Sequence, residues 1–211
     1  MKKKTITFLK YLGYYFIALL VSVILILLID NIITKILGYN SVVELFSNAK
    51  KQIDKKGILL IVFVIPLIEE VIFRLLLKVN KINVSISLSL WLLLLIKNGK
   101  ITEVNFNNYE IYFKLFIVIL FGLILYKLAL SDKIVRYLAT KEKVLFYFSV
   151  LSFGLVHITN IKEFHWQLSL FYPFFVLPQI FMGYFIAKLR IEQGFIWGLL
   201  FHVVINAIGS I

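Results

Sequence analysis

Two adjacent glutamates, Glu69 and Glu70, and an arginine, Arg74, lie inside an otherwise apolar run from Gly57 to Leu77. A charged side chain at the centre of a membrane helix costs about 2.5–3.5 kcal/mol on the insertion scale, so a cluster of three must be paired, hydrated or used. Glu70 and Arg74 are four residues apart and share a helix face, where the pair neutralises itself. On its own that pair reads equally as a buried ion pair that fixes helix packing. Glu69 points about 100° away from Glu70, toward the side of Phe73, and finds no partner on its own helix. A carboxylate in an apolar wall beside a second carboxylate is a candidate general base.

Three more polar groups interrupt later apolar segments. Phe153-Gly-Leu-Val-His157 places one histidine, and His202-Val-Val-Ile-Asn206 places a second histidine and an asparagine on one helix face. A lone intramembrane histidine is ordinarily a hydrogen-bonded packing residue. Glu69, His157, His202 and Asn206 together supply a base, a second proton carrier and two hydrogen-bond donors. That is the inventory for activating water and stabilising the oxyanion of amide hydrolysis. With a rise of about 1.5 Å per residue, Glu69, His157 and His202 fall at depths that agree within about 6 Å in a hydrocarbon core roughly 30 Å thick. A shared intramembrane site is therefore geometrically allowed.

The elements that would position these groups are apolar helices. The chain of 211 residues is 61% hydrophobic and only 16% charged, with a mean hydropathy of +0.95, which excludes a soluble globular domain. The expected fold class is all-α, a polytopic transmembrane helix bundle of about seven spans with the site between helices inside the membrane. The segments run at about 14–37, 57–78, 82–96, 111–130, 143–161, 164–189 and 194–211. The third is short for a span, and Pro173 and Pro178 are expected to kink or break the sixth. Met-Lys-Lys-Lys before an apolar stretch without a small-residue cleavage pattern reads as a retained first span.

The net charge of +12 is spread over short segments between apolar runs, with no basic helix face or aromatic platform for nucleic acid. Anionic lipid headgroups are the expected counter-charge. With the N-terminus inside, the two sides collect thirteen and nine Lys and Arg residues, which favours a cytoplasmic N-terminus, and Ser41 to Lys56 reads as an interfacial helix. Cysteine is absent, so neither a disulfide framework nor a thiolate metal site exists. No internal repeat is found, which argues against a proton-coupled transporter built from inverted halves.

The three motifs, Glu69-Glu70-Val-Ile-Phe-Arg74, Phe153-Gly-Leu-Val-His157 and His202-Val-Val-Ile-Asn206, taken in that order in separate apolar segments, resemble those of the CPBP family. These are intramembrane proteases related to the type II CAAX prenyl endopeptidase and to bacterial Abi and bacteriocin-immunity proteins. The resemblance covers about residue 57 to the C-terminus, and Gln179, Gly183, Arg190, Gly194 and Gly198 resemble the family's approach to its last motif. It implies that Glu69 and His157 activate the attacking water, that His202 and Asn206 stabilise the oxyanion, and that Glu70, Arg74 and Phe153 support them. It implies a membrane-associated peptide or protein substrate, and the small size and minimal loops of the chain point to a bacterial cytoplasmic membrane. No cofactor is expected. Zinc on Glu70, His157 and His202 ranks below a metal-free site, since H-E-x-x-H is lacking. A catalytically silent scaffold or self-immunity factor is the reading from a different class. The chain departs from the family in the distance between its first two motifs, which two extra apolar segments separate. The expected organisation is thus an N-terminal membrane helix with a possible interfacial helix over 1–56, then a protease-like core over 57–211 with a two-helix insertion at about 82–130. An even number of inserted spans preserves the direction of every later helix.

Overall fold

A computed structural model describes residues 2–44, 55–97, 109–161 and 164–209. Every regular element among the described residues is helical. Helix α1 (Lys2–Lys35) is followed by a composite rod made of α2 (Lys55–Leu59), a π-helical turn (Leu60–Val64), α3 (Ile65–Arg74) and a 3-10 turn (Leu75–Leu77). Next come α4 (Lys81–Ile96) and α5 (Tyr109–Ile124) with its π-helical extension (Leu125–Ala129), then the short α6 (Asp132–Ala139). Helix α7 (Glu142–Val156) ends in a 3-10 turn (His157–Asn160), and a further 3-10 turn (Trp166–Leu168) leads to α8 (Tyr172–Phe175), α9 (Leu177–Gln193) and α10 (Phe195–Gly209).

Among the described residues, three helical stretches are long and apolar enough to cross a membrane: Lys2–Lys35, Tyr109–Ala129 and Glu142–Asn160. Helices α4 and α10 are apolar but shorter. The first helix starts at Lys2, not near residue 14, because Phe8, Tyr11 and Tyr15 recur at helical spacing and dock on later helices. Their rings lie 5.8 Å from Trp197, 5.8 Å from Phe185 and 6.1 Å from Phe201 respectively. These three residues belong to the same buried cluster as Phe153 and Ile186, so α1 shares one core with the later helices. The expected interfacial helix over Ser41 to Lys56 falls mostly on residues outside those described.

The apolar segment expected at 164–189 is divided. Pro173 and Pro178 each occupy the first turn of a helix, α8 and α9, where a missing N–H removes no intrahelical bond. Helix α9 then runs on to Gln193 and reverses into α10 at Gly194, whose φ of +101° suits a residue without a Cβ. It is the central rod, packed against α1, α7 and α10. Small residues set its spacing. A Cβ on Gly154 of α7 would strike the Ile180 side chain and come within 3.0 Å of its backbone. A Cβ on Gly198 of α10 would sit 3.3 Å from the Ile186 carbonyl. Close backbone approach at small residues is how helices associate where no hydrophobic drive separates protein from lipid.

The two segments between the first and second motifs are unequal. Helix α4, capped by Asn80, whose side-chain oxygen accepts from the Asn83 N–H at 2.8 Å, packs directly on α3. The Trp91 ring stands edge-on 5.1 Å from Phe73, and the buried Ser87 hydroxyl donates to the Ile72 carbonyl. Helix α5 lies outside α4, meeting it where Gly122 faces Ser89, and exposes Phe113, Phe116, Ile119 and Leu123. One element therefore supports the motif helix and the other is peripheral.

Candidate functional site

The site forms where α3, α7 and α10 meet. Glu69 and Glu70 leave α3 on different faces, and each reaches a histidine from another helix. Glu69 Oε1 is 4.0 Å from His157 Nε2, and its Oε2 is 3.3 Å from His202 Nε2. Glu70 Oε1 is 3.1 Å from His202 Nδ1 and 3.6 Å from Arg74 Nε. Spacing along α3 leaves Glu69 without a partner, but tertiary packing gives it two.

Arg74 is fully buried, and none of its nitrogens makes an aligned hydrogen bond among the described residues. Its guanidinium carbon stands 3.9 Å from the centre of the Phe153 ring and 5.6 Å from that of Phe73, so two aromatic faces and the Glu70 carboxylate share its charge. Gly183 of α9 makes room for this arrangement, since a Cβ there would lie 2.9 Å from Phe153 and 3.3 Å from Arg74 Nη2. The same Phe153 ring stands edge-on to both histidines, 5.0 Å from His157 and 5.4 Å from His202. One aromatic side chain thus sets the positions of three charged or titratable groups.

The tautomer of His157 follows from its surroundings. Its Nδ1 lies 2.8 Å from the Phe153 carbonyl, which can only accept, so Nδ1 carries the proton and the Nε2 edge faces Glu69. A separation of 4.0 Å between Glu69 and His157 exceeds a direct hydrogen bond and suits one water touching both. His202 is held between two carboxylates: its Nδ1 is hydrogen-bonded to Glu70, which can only accept, while its Nε2 lies near Glu69 without an aligned hydrogen bond among the described residues. Exposure divides the group. The Glu69 and His157 side chains are 16% and 18% accessible, whereas Glu70, Arg74 and His202 are at 0–1%.

Asn206 lies one turn along α10 from His202, and its Nδ2 donates to the Ile61 carbonyl at 3.1 Å. The reason is local chemistry in the rod that carries the glutamates. In the π-helical turn the Ile65 N–H bonds to the Leu60 carbonyl rather than to Ile61. The next residue that could serve the Ile61 carbonyl at π spacing is Pro66, which has no N–H. A side chain takes the vacant place. An amide nitrogen has two hydrogens, so this bond orients Asn206 and leaves one donor over. Nothing in the three motifs points to Ile61; the signal is Pro66, four residues from Glu70 inside a helical run.

The structure therefore brings Glu69, Glu70, Arg74, Phe153, His157 and His202 into one contiguous group and places Asn206 at its edge, on the π-helical turn. It does not bring Glu70, His157 and His202 to a common point. Glu70 faces Nδ1 of His202, while Glu69 stands at Nε2 between the two imidazoles. Among the described residues no three His, Cys, Asp or Glu side chains are arranged to hold a metal ion. Comparison of the chain with family models, with curated proteins and with solved structures finds no match.

Proposed function

We propose that this chain is an intramembrane endopeptidase of the glutamate type, hydrolysing a peptide bond in a membrane-associated protein or peptide, as its resemblance to the CPBP family implies. The observation that carries the reading is the Glu69 carboxylate, flanked by the Nε2 edges of two histidines and accessible together with His157. Water held between Glu69 and His157 loses its proton to this pair, and its oxygen attacks the substrate carbonyl. The resulting oxyanion needs donors, and the resemblance assigns that task to His202 and Asn206. The proton then passes to the departing amine as the C–N bond breaks, which balances the addition of water.

Glu70 and Arg74 act through His202 and Phe153, holding one imidazole and the aromatic platform beside both. The remaining apolar segments complete a multi-pass bundle of about seven spans in a bacterial cytoplasmic membrane, with the Lys-rich N-terminus cytoplasmic and anionic lipids as surroundings.

The competing reading is a silent scaffold or self-immunity factor. It draws on the buried Glu70–Arg74–His202 group, which ties α3 to α10 without any chemistry. It leaves the partly accessible Glu69 and His157 without a task. The two readings separate on a panel of membrane-anchored peptides incubated with purified wild type, Glu69→Gln and His157→Ala. Cleavage by wild type alone supports the protease. Full biological activity in both variants supports the scaffold.

A further inference from the structure

Helix α6, Asp132–Ala139, connects two helices long enough to cross a membrane, Tyr109–Ala129 and Glu142–Asn160. A short connector between two such spans is confined to one face of the bilayer. None of its residues is buried. At about 100° per residue its side chains form three sectors roughly 100° apart. Val135 and Leu138 pack against the cluster of Leu76, Val84 and Leu130. Ile134 and Tyr137 form the next sector and are 43% and 61% exposed. Lys133 and Arg136 form the third.

We propose that α6 lies in the membrane interface, with Ile134 and Tyr137 sunk into the boundary between headgroups and acyl chains and with Lys133 and Arg136 on anionic headgroups. The order of the sectors fits that occupant. With one side on the protein, the apolar sector faces the hydrocarbon and the basic sector lies at headgroup level. A tyrosine at the boundary buries its ring while keeping its hydroxyl wet. The Lys141 ammonium, 5.0 Å from the centre of the Tyr137 ring, adds charge beside it. Residues 127–143 hold five Lys and Arg against two acidic residues, Asp132 and Glu142, which matches an anionic surface. The inference rests on the spans that flank α6 and is independent of any proteolytic activity.

The chain contains no cysteine, so single cysteines placed at Ile134, Tyr137 and Arg136 carry a nitroxide label with no background. A fourth label at Leu123, exposed on α5, reports that the bundle is inserted. The full chain is reconstituted in phosphatidylcholine vesicles with and without phosphatidylglycerol. Labels at 134 and 137 are expected to be severalfold more accessible to oxygen, and severalfold less accessible to an aqueous nickel chelate, than the label at 136. Phosphatidylglycerol is expected to deepen that shielding, and Lys133→Glu with Arg136→Glu to abolish the deepening while Leu123 stays in hydrocarbon. Labels at 134 and 137 as accessible to nickel as 136, shielding indifferent to phosphatidylglycerol, or spin–spin broadening that reveals a second copy on this face would each overturn the proposal.

Discussion

Glu70 Oε1 lies 3.1 Å from His202 Nδ1, joining α3 to α10 through two fully buried polar groups. Arg74, one helical turn further along α3, neutralises the same carboxylate at the same oxygen. Removing one partner of a buried pair leaves an uncompensated charge and costs about 3–5 kcal/mol. Arg74→Met is expected to destabilise the protein by that order in reversible unfolding from mixed micelles. Replacing both partners, Glu70→Gln with Arg74→Met, is expected to recover most of the loss, because no unpaired charge is then left in the core.

The α7–α9 crossing is set by glycines. A Cβ at Gly154 collides with Ile180, and one at Gly183 presses on Phe153 and Arg74. Gly154→Ala and Gly183→Ala are each expected to cost about 1–3 kcal/mol through overpacking. Gly183→Ala is also expected to lower cleavage in variants that remain folded, since Phe153 sets both histidines. Gly13→Ala, inside α1 with nothing within 4 Å, serves as the control and is expected to leave activity unchanged and not to lower melting, since alanine favours a helix interior.

Asn206 has a structural bond and, in the proposed mechanism, an oxyanion to serve. Losing the bond to the Ile61 carbonyl costs about 0.5–1.5 kcal/mol, and losing an oxyanion donor lowers kcat by roughly 10²–10³-fold. Asn206→Ala is expected to show both effects. Pro66→Ala restores a backbone N–H within reach of the Ile61 carbonyl, so the double variant is expected to regain stability and not turnover. Stability and kcat measured on the same preparations read the two roles separately.

The donor geometry also fixes the response to metal removal. Glu70, His157 and His202 do not share a point, so a strong chelator is expected to leave the initial rate of peptide cleavage unchanged. Loss of activity on chelation, restored by zinc, would show that the side chains rearrange around a metal.

Much of this arrangement was legible in the residues. Apolar runs name the helices, and positions four apart name the groups that share a face, as Glu70 and Arg74 do at 3.6 Å. Contacts between helices were not legible, because the partner of a side chain depends on which faces pack. Glu69 meets His157 and His202 only through the α3, α7 and α10 arrangement, which Gly154, Gly183 and Gly198 permit. The extension of α1 back to Lys2 was hidden because lysines interrupt its apolar pattern while Phe8, Tyr11 and Tyr15 continue it. The π-helical turn was hidden because its only sequence mark is Pro66, and one proline does not say which carbonyl it leaves open or which side chain fills it.

The most direct measurement of the central claim is the rate of hydrolysis of a membrane-anchored peptide by wild type and Glu69→Gln, with thermal unfolding recorded on the same samples. Gln keeps the size of Glu and removes its capacity to take a proton. Cleavage by wild type is expected, with a loss of at least about 10²-fold in Glu69→Gln as for a general base and a melting temperature within a few degrees of wild type. Equal rates in the two proteins would contradict that claim.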